Sequence, residues 1–228
     1  MAFNIQQNKE RAGNRKGDME IFTNKIEIAG RIAEELQLSH TVFDEKFYTG
    51  VLEIERLSSR ADSIPITLPE SLVTEYGLKK DSFVKLEGQL RSYNYYLKVT
   101  DLAQNRKSRL VITAFCRGVM PFTEYSNSVM LDGYVCKPPV YRATPFGKHI
   151  ADVLVAVNRN YGKSDYIPVI FWGECASQAA ELTVGERITV EGRLQSRDYE
   201  KKTADGGSET RRTYEVSGFK LTKIMLEK

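Results

Sequence analysis

Apolar and polar residues alternate in short runs along most of the chain, a period of two that belongs to half-buried strands rather than to helices. Ile26, Ile28 and Gly30 alternate with polar neighbours, and Gly50, Leu52 and Ile54 alternate against Thr49, Val51, Glu53 and Glu55. Ile64-Pro-Ile-Thr-Leu68 reads as a third strand, whose proline is tolerable only at an edge, a bulge or a strand start. A short helix is expected over Leu68 to Tyr76, closed by Gly77. Phe83 to Tyr96 reads as a long strand with Val84, Leu86, Gly88 and Leu90 inward, and Arg109 to Arg117 as the last strand of this unit.

The same order returns from Asn127, with Asp152 to Arg159, Tyr166 to Trp172 and Ile188 to Tyr199 as strands and Glu174 to Leu182 as the helix. Asn24 to Gly30 matches Asn127 to Gly133 at an offset of 103, as do Arg56 with Arg159 and Ile64-Pro65 with Ile167-Pro168. Glu87-Gly88-x-Leu90-x-Ser92 matches Glu191-Gly192-x-Leu194-x-Ser196 at an offset of 104. Two copies of a five-stranded barrel, each with one helix after its third strand, describe an all-β chain with short helices and two tandem OB-folds. The expected organisation is a basic arm over 1–20, a first barrel over 21–119, a linker over 120–126 and a second barrel over 127–228.

At 228 residues, each half is long enough to bury a core. No apolar run reaches the roughly 20 residues of a membrane helix, and the start lacks the order of a signal peptide, so a cytoplasmic protein is expected. Cys116, Cys136 and Cys175 suit neither a disulfide framework nor a zinc site, and no cofactor is expected. His40 and His149 stand without partner spacing, and no phosphate loop or nucleophile elbow is found. The chain does not read as an enzyme. Its net charge of +3 is too small to demand a polyanionic partner, so the distribution of charge has to decide.

Residues two apart in a strand share a face, so Tyr166 and Trp172 fall on the face opposite Ile167, Val169 and Phe171. Arg193, Arg197 and Tyr199 likewise lie opposite the core side of the next long strand. Rings beside guanidinium groups on a barrel surface are what a single nucleic-acid strand requires: bases stack on the rings and cations follow the phosphates. Packing of Tyr166 and Trp172 against the sister barrel or a partner subunit is the alternative. Lys201, Lys202, Arg211 and Arg212 flank a hairpin tip that extends this strand. In the first copy Ser63 and Pro69 stand where the second has Tyr166 and Trp172, while Arg91, Tyr93, Tyr95 and the adjacent Tyr96 offer other contacts. A loop with Lys98, Arg106, Lys107 and Arg109 follows them, and Glu53 and Glu55 would repel phosphates. The first barrel is expected to bind differently, or to serve as a dimer surface.

With Asn127-x-Val-x-Leu-x-Gly133, Thr144-Pro-Phe-Gly147, Ala156-Val-Asn-Arg159, Tyr166-Ile-Pro-Val169, Trp172-Gly173, Val190 to Tyr199 and Arg212 to Val216, the second half resembles the bacterial single-stranded DNA-binding protein family. The first half resembles it more weakly, through Asn24 to Gly30, Ile64-Pro65 and Leu86 to Arg91. The resemblance implies sequence-independent binding of single-stranded DNA in replication, recombination or repair. It implies four barrels per assembly, hence a homodimer of this two-barrel chain. The family's stacking rings map onto Tyr161, Tyr166, Trp172 and Tyr199, and Arg159 joins the candidate DNA contacts. The family's acidic tail, which recruits replication proteins, is not expected after Lys223 to Lys228. Two other functions stay open: a primosome-type adaptor in replication restart, and a scaffold whose barrels bind only protein.

Overall fold

The computed structural model describes residues 23–56, 58, 60–96, 108–159, 162–202 and 207–225. The basic arm, Tyr161 and the loop bearing Lys98, Arg106 and Lys107 lie outside them, as do the side chains of Tyr96 and Lys202. The first half contains β1 (Asn24–Ile32), β2 (Gln37–Val42), β3 (Glu45–Glu55), β4 (Ala61–Pro69), α1 (Glu70–Glu75), β5 (Phe83–Tyr96) and β6 (Ser108–Met120). The second contains β7 (Ser126–Val135), β8 (Val140–Ala143), β9 (His149–Asn158), β10 (Ser164–Trp172), α2 (Gly173–Ala180), β11 (Arg187–Lys202) and β12 (Ser208–Lys223).

Strand pairing closes two rings. In the first, β1 pairs with β3 and β5, β5 with β6, β6 with β4 and β4 with β3. In the second, β7 pairs with β9 and β11, β11 with β12, β12 with β10 and β10 with β9. Each ring is the five-stranded OB-fold barrel, filled by inward residues such as Ile28, Leu52, Ile66, Leu86 and Leu90, and Leu131, Val155, Phe171, Ile188 and Leu194. The parallel ladders pair Ile66 with Ala114 and Val169 with Val216, so each begins after the proline, which has no N–H to donate.

Three details differ from the sequence expectation. Short strands β2 and β8 add a hairpin to each barrel. The first helix starts at Glu70, because Leu68 and Pro69 still pair with Tyr48 and Phe47. The second helix runs from Gly173 to Ala180, two residues short of Leu182.

The repeated landmarks are structural necessities. Asn24 spans two backbone groups of Leu90, its Oδ1 accepting from the Leu90 N–H and its Nδ2 donating to the Leu90 carbonyl, both at 2.8 Å. Asn127 treats Leu194 the same way at 2.9 and 2.7 Å. Gly88 and Gly192 sit at the bulges of β5 and β11, where a Cβ would meet the Phe115 or Ser217 carbonyl oxygen.

The barrels join through antiparallel pairing of β1 with β7. Asn24 faces Leu131, Ile26 faces Val129 and Ile28 faces Asn127. At the repeat offset of 103, Ile26 and Val129 are equivalent, so a pseudo-twofold axis passes between them. Reciprocal contacts follow. The Ser92 N–H donates to Asp165 at 2.7 Å and the Ser196 N–H to Asp62 at 2.8 Å. In return the Tyr166 N–H donates to Ser92 Oγ at 2.7 Å and the Ser63 N–H to Ser196 Oγ at 3.1 Å. The two halves of one chain meet as the subunits of an isologous dimer do.

Candidate nucleic-acid interface

Strand β10 carries Tyr166 near its start and Trp172 at its end, about 20 Å apart at strand spacing. Both rings point away from the core, 46% and 42% exposed, and the Tyr166 N–H reaches Ser92 of the sister barrel. Lys148, His149 and Gly173 surround Trp172 in an open hollow of about 530 Å³. Tyr199 is 37% exposed on β11, opposite Arg211 of β12. Because β12 lies between β10 and β11, Tyr166 and Trp172 occupy one edge of this outer surface, and Arg193, Arg197 and Tyr199 the other.

The cations divide into engaged and free groups. Arg211 donates to Glu209 at 2.9 and 2.7 Å and Arg212 to Asp198 at 2.7 and 2.9 Å. These hydrogen bonds hold the Glu209 and Asp198 carboxyls below their ordinary range and raise both guanidinium pKa values. Arg197 lies 3.5 Å from Glu215, itself held by Gln195. Arg91 donates to Asp165 at 3.0 Å, and Arg159 Nε lies 3.1 Å from the same oxygen without hydrogen-bond alignment. Asp165 is fully buried, so Arg91 and Arg159 are tied to the seam between the barrels. Among the described residues, Arg193 and Lys201 form no salt bridge. In the first barrel Tyr93 and Tyr95 are both about half exposed on β5, and Arg109 donates to the Arg212 carbonyl of the other barrel.

Several residues of these surfaces escape a position-by-position comparison of the copies. Pro69 stands where the second barrel has Trp172, but its cross-strand partner is Phe47. That ring stacks on His40, with centroids 5.0 Å apart, and meets Phe115 at 5.7 Å. The ring has moved one strand over. Phe43 and Phe146, one repeat apart, cap the two added hairpins and are 100% and 92% exposed.

Residues 126–222 match the single-strand binding protein family. The matched stretch is the second barrel, under half of the chain. The single-stranded DNA-binding protein of Clostridium tetani is 36% identical over 83 residues, which are 33% of this chain and 57% of that one. That of Bacillus cereus is 35% identical over 108 residues, 44% of this chain and 56% of that one. The chain thus spans little more than half the length of these curated relatives. The solved structure of the wild-type single-stranded DNA binding protein from Thermus aquaticus superposes with a TM-score of 0.65 at 19% identity, over 90% of this chain and 94% of that one. The shared fold therefore extends across both barrels.

Proposed function

We propose that the chain binds single-stranded DNA without reading its sequence, and holds it for replication, recombination or repair in the cytoplasm. The observation that carries this reading is the set of exposed rings, Tyr166, Trp172 and Tyr199, on the outer surface of the family-matched barrel, with the unpaired cations Arg193 and Lys201 beside it. Bases stack on such rings at about 1–3 kcal/mol each, whatever their identity, and cations bind any phosphate. Arg197, Arg211 and Arg212 extend the same path, and Tyr161 and the Lys202 side chain, outside the described residues, are proposed as further contacts. The relatives named above are single-stranded DNA-binding proteins by name, which favours DNA as the strand.

The assembly we infer is a homodimer of four barrels. The continuous sheet β6-β5-β1-β7-β11-β12 offers an outer face on which Lys25, Glu27, Lys85, Glu191 and Lys220 alternate in sign around the half-exposed Met130. Such a face can meet a second copy of itself across a twofold axis perpendicular to the pseudo-twofold, with opposite charges opposed. Among the described residues no helix is long and apolar enough to cross a membrane.

The test uses a labelled dT oligonucleotide of about 35–70 bases and a duplex of equal length. Anisotropy should show tight binding of the single strand and weak binding of the duplex, and sedimentation should give twice the chain mass. Equal affinity for the duplex, or no binding of either, overturns the proposal; a protein-only scaffold gives the second result.

A further inference from the structure

The pseudo-twofold axis relates two clefts between the barrels, and they are not alike. One is a hollow of about 510 Å³ lined by Gln89, Arg91, Phe115 and Arg117 of the first barrel and by Asn158, Arg159 and Lys163 of the second. Arg117 stands at the β6 bulge opposite Glu87 and Gly88, a feature that re-aims a side chain out of the ladder. Arg117 and Lys163 are both exposed and form no salt bridge among the described residues. Behind this lining, Arg91 and Arg159 both reach the buried Asp165. In the equivalent cleft the bulge residue is Phe219, Ser217 replaces Phe115, Gln195 replaces Arg91 and Glu55 replaces Asn158, while Arg193 replaces Gln89 and Arg56 and Arg60 stand for Arg159 and Lys163. Both clefts carry cations; the first sets Arg117 at its bulge beside the Phe115 ring, and the second sets Phe219 at its bulge and adds the acid Glu55.

The first cleft opens onto a line of rings. The Arg91 guanidinium lies 5.8 Å from the Phe115 ring centre, Phe115 meets Phe47, and Phe47 stacks almost parallel on the exposed His40. These residues cross the outer face of the first barrel from β5 to β2. We propose that a single strand of nucleic acid leaves the second barrel through the cleft at Arg117 and Lys163 and continues onto the first barrel along the Phe115–Phe47–His40 line. The inference rests on the function proposed above and adds the route. Arg117 and Lys163 meet phosphates, Phe115 and His40 offer stacking surfaces, and the two sides of the pseudo-dimer do different work.

The experiment compares the full chain with the Arg117→Gln/Lys163→Gln double variant, using a labelled dT oligonucleotide of about 60 bases and one of about 10, the range one OB-fold holds. Two lost phosphate contacts should lower the salt slope by about 1.4 and weaken long-oligonucleotide binding about 25-fold at 0.1 M salt. Trp172 quenching by the short oligonucleotide should stay unchanged. His40→Ala, at the exposed end of the ring line, should weaken long-oligonucleotide binding about fivefold or more. Unchanged affinity and salt slope in the double variant, with Trp172 still quenched, overturns the route while leaving the proposed function standing. Absence of quenching and binding in the unaltered chain overturns both.

Discussion

Truncating Asp165 to alanine tests whether the two barrels are locked as the contacts at the seam require. The buried carboxylate accepts the Ser92 N–H at 2.7 Å and Arg91 Nη1 at 3.0 Å, and faces Arg159 Nε at 3.1 Å. Removing it leaves two guanidinium groups without a counter-charge and one backbone N–H without an acceptor. Losing one partner of a buried ion pair costs about 3–5 kcal/mol. Arg91 keeps its 2.6 Å bond to Gln89, and the two arginine side chains retain 24% and 30% exposure, so water recovers part of the loss. The expected loss is about 3 kcal/mol, or about 1 M in the urea midpoint for a slope near 3 kcal/mol/M. Asp62→Ala should cost a comparable amount, because Asp62 accepts the Ser196 N–H across the pseudo-twofold axis and pairs with Arg56 of its own barrel. Asp198→Ala, which breaks only an exposed pair with Arg212, should leave the urea midpoint almost unchanged. A loss below about 1 kcal/mol for both Asp165→Ala and Asp62→Ala would refute the reasoning.

Other substitutions and titrations test separate parts of the fold. Gly133→Ala drives a Cβ into the Ala156 carbonyl oxygen and should cost more than about 2 kcal/mol in urea unfolding. Gly77→Ala meets nothing nearby and should cost only the strain of its φ of 59°, about 1 kcal/mol. Burial pushes the Cys116 thiol up to about 12, so at pH 8 it should resist a thiol reagent that labels Cys175, until denaturant exposes it. The native Glu27, Glu186, Asp198 and Glu209 carboxyls are held below their ordinary values, chiefly by hydrogen bonds from Lys25, Lys223, Arg212 and Arg211. Depressed native pKa values stabilise above the unfolded pKa, so the urea midpoint should hold above about pH 5 and fall as these groups protonate below about pH 4. A midpoint that rises on acidification would contradict the pairings.

Much of the fold was legible because the repeat falls on residues with geometric duties. Asn24 and Asn127 bridge backbone groups, Gly88 and Gly192 allow a close approach, and Ser92 and Ser196 take part in the reciprocal seam. A period of two placed Ile167, Val169 and Phe171 inward and left Tyr166 and Trp172 outward. Strand β2 was not legible, since all six of its residues are exposed and only Leu38 and Val42 among them are apolar. Spacing also assigns a residue to a face without naming its distant partners. Arg91 and Arg159 read from sequence as open cations, but both reach Asp165, 74 residues along the chain from the first. The ring line of the first barrel was hidden for a related reason. Its Phe47 occupies the strand facing the position where the other copy holds Trp172, and a comparison at fixed offset looks only along one strand.

Trp172 is the chain's only tryptophan, so its emission reports on one place of the interface. Titration with a dT oligonucleotide of about 35–70 bases at low and high salt tests the central claim most directly. Strong quenching that weakens as salt rises, with a slope near −0.7 per phosphate neutralised, is the expected result. Unchanged emission at both salt concentrations, with no shift of the oligonucleotide on a gel, would contradict single-strand binding across this face.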